Sequence, residues 1–206
     1  MRLSDNSTLF LFYLGVMLIV TYLQQEFVLL PELQSFDLVG EDSKALLMEK
    51  WQKFRWLAFL VAPIMLPLRL TRISLCFFIG SFFVSEMSGY KFNDWWTVVL
   101  RAQAVMLGYS ICICILNICA GSERTGEVIS HMSLMFLGGE DMALWLRVPL
   151  SALNLFEIIY WFVMAWLVAR MTKNRFFGSF KFVMSSYGIG YLFYIVFLMF
   201  LVLYLS

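Results

Sequence analysis

Long apolar runs separated by short charged segments dominate the chain and limit what it can fold into. The run from Leu57 to Val84 is longer than the roughly 20 apolar residues that cross the hydrocarbon core of a bilayer. Hydrophobic residues make up 62% of the 206 residues and charged residues 14%, whereas soluble domains have roughly 45–50% and about 25%. We therefore predict an integral membrane protein.

The apolar runs predict an all-α helical bundle, because helices satisfy their own backbone hydrogen bonds when runs of this length lie in lipid. We place the five predicted transmembrane helices at residues 9–30, 56–85, 96–120, 143–169 and 182–205. Residues 1–206 then form a single membrane domain without an internal repeat. In the connector after the third span, the apolar residues 132–137 are too few to cross, so they form either a loop packed on the bundle or an interfacial or re-entrant turn.

An amphipathic helix is predicted over residues 41–56, which read EDSKALLMEKWQKFRW. Leu47, Trp51 and Phe54 recur at the i, i+4, i+7 spacing of one helix face, and charged residues lie between them. This helix either lies in the membrane interface or continues directly into the second span. In both cases we expect Trp51 and Phe54 to be buried against lipid or a partner.

Two arginines lie near the middle of the predicted second span, where an unpaired arginine costs about 2.5–3.5 kcal/mol. Arg69 and Arg72 are three residues apart, so they share a helix face. Glu157 is the acidic residue at the centre of the predicted fourth span, and Arg101 and Asn154 lie near it in the predicted arrangement. We therefore predict an intramembrane polar cluster of these five residues.

Three roles remain open for this cluster. It holds the second and fourth spans together, or it lines a substrate or ion pathway, as ionisable groups inside membranes commonly do. Alternatively, the second span is a re-entrant hairpin with Arg69 and Arg72 at its tip. The first role predicts that Glu157 acts as the counter-charge of the arginines.

Signals for catalysis, metals and cofactors are missing from the sequence. It contains neither HExxH nor GxSxG, and His131 is its single histidine, so a multi-histidine metal site or bis-histidine haem is excluded. The cysteines lie in apolar runs, which predicts free thiols and no metal ligands. No basic cluster interleaved with aromatics suggests nucleic acid. Ser186 and Gly190 form a small-xxx-small pair, which predicts close packing of the fifth span against a neighbouring helix.

Orientation is predicted from the basic segment ARMTKNRFFGSFK, residues 169–181. It carries no acid, and Lys and Arg are enriched in cytoplasmic loops. We therefore expect the N-terminus in the cytoplasm and the C-terminus outside, in the cytoplasmic membrane of a bacterium.

The segment PLSALNLFEIIYWFVMAWLVARMT, residues 149–172, followed by a last span, resembles the end of Yip1-domain membrane proteins. The resemblance covers the last two spans and the span count. It implies a five-span, non-enzymatic membrane protein with a cytoplasmic N-terminus that works with partners, and it assigns no catalytic residue. The long polar N-terminal region of the eukaryotic members is missing from this chain.

Taken together, these features predict a non-enzymatic subunit or scaffold of a membrane complex. Its partners would be the lipid bilayer and either another protein or a second copy of the chain. The alternative is a small transporter or channel that binds an anionic solute through the arginines and Glu157.

Overall fold

The computed structural model describes residues 3–31, 41–121, 128, 132–133, 150 and 153–205. These residues are helical apart from turns and one isolated bridge between Ser133 and Asn154, which confirms the all-α class. The helices are α1 (Leu3–Gln24), α2 (Glu41–Ser81), α3 (Phe92–Ala120), α4 (Leu155–Thr172), α5 (Phe176–Val183) and α6 (Ile189–Leu205). A π-helical turn extends α1 over Gln25–Leu29, and a second π-helical turn joins α5 to α6 over Met184–Gly188.

Five helical stretches are long and apolar enough to cross a membrane, which confirms the predicted polytopic helical bundle. They are Asp5–Leu29, Met48–Ser81, Phe92–Ala120, Leu155–Thr172 and Phe176–Tyr204. The last stretch consists of α5, the π-helical turn and most of α6. Residues 131 and 134–141 lie outside the described residues, so the form of that connector and the position of His131 stay predictions.

Helix α2 settles two of the open alternatives about the second span. Its 41 residues begin at Glu41, so the amphipathic segment continues directly into the span. The helix is uninterrupted through Pro63, Pro67 and Arg69. The hypothesis of a re-entrant hairpin with the arginines at its tip is therefore wrong. A continuous helix satisfies its backbone in lipid, whereas the irregular tip of a hairpin does not.

Helix α4 starts at Leu155, later than the sequence predicted, so Glu157 lies at a different position in its helix. Residues 143–149 of the predicted span lie outside the described residues, but Leu153 and Asn154 are described and are not helical. Asn154 has extended backbone angles, φ −109° and ψ 166°, and its side chain caps the helix that follows. Glu157 therefore lies in the first turn of α4 and not at the centre of a continuous span.

The described chain clusters into two compact units. The first unit comprises residues 1–69 and 107–125, and the second comprises residues 70–106 and 126–206. The second unit has an aromatic core, in which the Trp95 ring centroid lies 5.8 Å from that of Phe77 and 5.2 Å from that of Phe182. Phe77 and Trp95 are completely buried. Such tilted ring pairs contribute van der Waals packing between the helices of this unit.

Several helices of the second unit begin or end close together. Helix α2 ends at Ser81, and α4 ends where Lys173 takes a left-handed conformation with φ 55°. The two following loops contact each other, since the Asn174 side-chain amide donates to the Glu86 carboxylate at 2.6 Å. We refer to residues 82–91 and 173–181 together as the boundary face.

Candidate functional site

Glu157 is the centre of a buried hydrogen-bond network in the second unit. The residue is 3% exposed. The carboxylate oxygen Oε1 accepts a hydrogen bond from the Tyr187 hydroxyl at 2.8 Å and one from Trp161 Nε1 at 3.3 Å. Tyr187 belongs to the last spanning segment and Trp161 to α4 itself, so the Tyr187 hydrogen bond joins this segment to α4.

Local sequence explains how this network is built. Asn154 and Glu157 have the spacing of an N-cap and its third helical residue, and the Asn154 Oδ1 accepts from the Glu157 backbone N–H at 2.9 Å. Trp161 follows Glu157 by one helical turn, which puts the two side chains on one face. Tyr187 comes from the π-helical turn Met184–Gly188. Such turns are rare and occur frequently at functional sites.

A row of three tyrosines leads from Glu157 to Arg72. Tyr187 contacts Tyr191 with ring centroids 5.8 Å apart, and Tyr191 contacts Tyr194 at 6.2 Å. The Arg72 guanidinium lies over the Tyr194 ring, with Cζ 4.7 Å from its centroid. Arg72 is exposed on the surface of α2. An arginine over an aromatic face is attracted by the negative potential of the ring.

The structure brings together only part of the predicted polar cluster. In the described part of the chain, Arg72 contacts Tyr194 and makes no ion pair with Glu157. Arg101 is half-buried on α3, and no described ion pair joins it to Glu157 either. Arg69 belongs to the first unit, and its pairing with Glu157 stays a prediction. Asn154 contacts Glu157 as a helix cap instead of donating to its carboxylate.

A second polar network lies in the first unit, where it connects the end of α1 with α2. Gln25 is 6% exposed and its amide Nε2 donates to the Arg55 carbonyl at 2.9 Å. The neighbouring Glu26 forms an ion pair with the Arg55 guanidinium at 3.0 Å. The same guanidinium lies 5.3 Å from the Trp51 ring centroid. Of the predicted interface residues, Trp51 is half-buried and Phe54 is exposed, and the side chain of Leu47 lies outside the described part of the chain.

The second unit contains two neighbouring cavities. One has a volume of about 500 Å³ and lies at the boundary face, where it is lined by charged and polar side chains together with Phe83, Val84 and Ser185. The other has a volume of about 430 Å³ and runs between α2 and α6 along mostly apolar side chains. Phe83, Val84 and Ser185 line both, so the two cavities adjoin. We call them the polar cavity and the apolar groove.

Small residues bring α2 close to the last spanning segment along the apolar groove. A Cβ atom added to Gly80 would overlap the Ser186 side chain, and one added to Gly190 would lie 3.2 Å from the Cys76 sulfur. Ser186 and Gly190, the predicted small-xxx-small pair, thus both face α2 in this structure. Close approach of this kind strengthens van der Waals packing between membrane helices.

The cysteines carry free thiols: Cys76, Cys112, Cys114 and Cys119. In the part of the chain that the structure describes, no three His, Cys, Asp or Glu side chains are grouped as a metal site. Comparison of the chain with protein-family models, curated proteins and solved structures gave no match. The resemblance to Yip1-domain proteins therefore stays a prediction, and the function rests on the geometry described above.

Proposed function

We propose that this chain is a non-enzymatic subunit of a membrane complex and that it meets its partner through the surface of α2 around Arg72. The supporting observation is the exposure of this arginine on a spanning helix. Arg72 lies about 14 Å along the helix axis from the end of α2 at Ser81. Ionisable side chains at such positions almost always face other protein or water, because lipid does not solvate them.

The neighbourhood of Arg72 indicates what kind of partner fits. Tyr194 covers one side of the guanidinium, and this contact uses none of the guanidinium N–H donors. The helices that carry Arg72 and Tyr194 also expose large apolar residues, including Leu75 at 46% on α2 and Phe197 at 62% on α6. A spanning helix that places one acidic side chain among apolar residues would match both the charge and the apolar surface.

The buried state of Glu157 favours this role over the anion-transport alternative. Its carboxylate already accepts hydrogen bonds from Tyr187 and Trp161. Neither the polar cavity nor the apolar groove is lined by Glu157. A buried carboxylate that already accepts hydrogen bonds stabilises the packing of its helices, which supports a structural role for Glu157 and not direct contact with a solute.

The contact is testable by photo-crosslinking in native membranes. A crosslinkable residue at Leu68 or Leu75 should yield one discrete partner adduct, whereas one at Ile158 on α4 should not. Arg72→Leu should reduce the adduct at Leu75 at least about fivefold, since it removes a charge-assisted hydrogen bond. Arg170→Leu is the matched control, because Arg170 also lies over an aromatic ring, 5.6 Å from the centroid of Trp166, but at the end of its helix.

The opposite outcome would favour the transporter. If the protein purified alone, gave no adduct at either position, and was stabilised against heat by small anions only while Arg72 was present, the subunit proposal would be wrong. An adduct between two copies of the chain would identify a homo-oligomer as the complex.

For orientation, we propose a cytoplasmic N-terminus and an outside C-terminus in a bacterial cytoplasmic membrane. The basic segment at residues 169–181 supports this. In a chain without its native cysteines, a membrane-impermeant thiol reagent added from outside should label a cysteine placed at Ser206 and miss one placed at Asn174. Labelling of Asn174→Cys from outside would reverse the orientation.

A further inference from the structure

The polar cavity and the apolar groove together form an amphipathic site on the second unit. The polar cavity lies among helix ends and loops at the boundary face. The apolar groove continues from it between two spanning helices. Their shared residues Phe83, Val84 and Ser185 mark the junction. A ligand that fills both needs a polar head of small volume joined to an apolar chain.

From this shape and its charges, we propose that the site binds one zwitterionic phospholipid whose headgroup carries a phosphate and a primary ammonium. One of its two acyl chains would lie in the apolar groove and the headgroup in the polar cavity. This proposal does not rest on the complex proposed above, because neither cavity is lined by Arg72, Tyr194 or Leu75.

Charge complementarity selects this headgroup. The polar cavity is lined by one carboxylate, Glu86, and one ammonium, Lys181, together with the Asn174 amide. No ion pair joins Glu86 to Lys181 in the described part of the chain. Lys181 lies 4.9 Å from the Phe177 ring centroid, and Glu86 accepts one hydrogen bond from Asn174. Each charge thus keeps capacity for a ligand group of opposite sign.

A primary ammonium suits Glu86 better than a quaternary one. An ammonium with N–H groups donates charge-assisted hydrogen bonds to a carboxylate, whereas a choline headgroup has no such donor. A purely anionic headgroup would satisfy Lys181 and be repelled by Glu86. The cavity therefore favours phosphatidylethanolamine over phosphatidylcholine and phosphatidylglycerol.

The apolar groove has the lining that an acyl chain requires. Ile79, Ile189 and Phe193 line it with apolar surface, and 50%, 52% and 70% of these residues are exposed. Gly80 and Gly190 also line the groove and have no side chain to fill it. Dispersion contacts along such a channel are individually small and add up over the length of a chain.

Native mass spectrometry of the protein released from nanodiscs tests the site. With equal amounts of the three phospholipids, we expect one phosphatidylethanolamine to be retained about fivefold over either competitor. Glu86→Gln should abolish this preference and raise retention of phosphatidylglycerol, because Lys181 then acts alone. Lys181→Gln should lower the retention of all three. Lys91→Gln is the matched control, because Lys91 is exposed in the same loop region and lines neither cavity.

A second pair of variants tests the groove without touching a charge. Ile189→Trp should fill it and reduce retention of phosphatidylethanolamine at least about fivefold. Leu192→Trp, on the same helix and outside both cavities, should leave retention unchanged. Equal retention of the three lipids by the parent, or no change in Glu86→Gln and Ile189→Trp, would overturn the proposal and leave non-specific annular lipid only. The adduct at Leu75 should persist in every one of these variants, which separates a failure here from a failure of the proposed complex.

Discussion

The two units each place an acidic side chain on an apolar spanning segment, but they satisfy it in different ways. In the first unit, Glu26 pairs with Arg55, and these side chains are 27% and 46% exposed. In the second unit, Glu157 is 3% exposed and accepts hydrogen bonds from the uncharged Tyr187 and Trp161. An exposed ion pair contributes about 0–1 kcal/mol, because solvent also satisfies its members. Water cannot replace a lost hydrogen-bond partner at a buried carboxylate, so each of its donors contributes more to the free energy of unfolding.

Removing each carboxylate should give the largest contrast between the units. We expect Glu157→Leu to lower the free energy of unfolding by about 3 kcal/mol, because buried donors lose their acceptor. Glu26→Leu should lower it by at most about 1 kcal/mol. Reversible unfolding by SDS in mixed micelles measures both. Glu157→Gln should fall between them, since its carbonyl oxygen still accepts; equal losses for the two leucine variants would remove the distinction.

A double-mutant cycle should assign the partner of Glu157. We expect Glu157→Leu and Tyr187→Phe to be coupled by about 1–2 kcal/mol, because they remove the two ends of one hydrogen bond. The same cycle with Arg69→Leu tests the predicted ion pair. A coupling above about 0.5 kcal/mol there would establish Arg69 as a second partner, and a coupling near zero would leave the carboxylate to its uncharged donors.

Loss of the helix cap should have a smaller effect. Asn154→Ala should destabilise the protein by about 1 kcal/mol, because the Glu157 backbone N–H loses its acceptor. Asn154→Asp should retain most of the stability. Asn93→Ala, an exposed position in the first turn of α3, should change the free energy of unfolding by less than about 0.5 kcal/mol. An Asn154→Ala variant as stable as Asn93→Ala would show that the cap contributes nothing.

A change in salt concentration should have the smallest effect on stability, and we expect that effect in the first unit, at the ion pair between Glu26 and Arg55. Raising ionic strength from about 0.01 M to about 1 M shortens the Debye length from about 30 Å to 3 Å. The coupling between Glu26 and Arg55, measured by a double-mutant cycle, should fall by at most about 0.5 kcal/mol over that range. The coupling between Glu157 and Tyr187 should not change. A salt-sensitive Glu157 would indicate that a charged group or water reaches it.

Hydropathy alone predicts the membrane helices, because lipid requires long apolar segments and their lengths are visible in the sequence. The partners of the polar residues are harder to predict. Arg72 and Glu157 suggest an ion pair by charge, yet tyrosines separate them, and a tyrosine in an apolar run gives no sign that its hydroxyl is needed as a donor. Asn154 and Glu157 match the N-x-x-E pattern of a helix start, but the predicted span over residues 143–169 placed both inside a continuous helix. The late start of α4 follows from that pattern. Because the residues on both sides of it are mostly apolar, hydropathy predicts one continuous span there.

The π-helical turn between α5 and α6 decides which side chains share a line along the last span. Ser179, Val183, Tyr187 and Tyr191 are all buried, each four positions after the one before. In a regular α-helix with about 100° per residue, such a series drifts by about 40° at each step and has turned by about 120° after three. A π-helical turn takes one more residue than an α-turn and so cancels about 100° of that drift. The extra residue of the π-helical turn therefore keeps these four side chains on one face of the segment. The number of residues between Ser179 and Tyr191 is thus as important for this alignment as the two residues themselves.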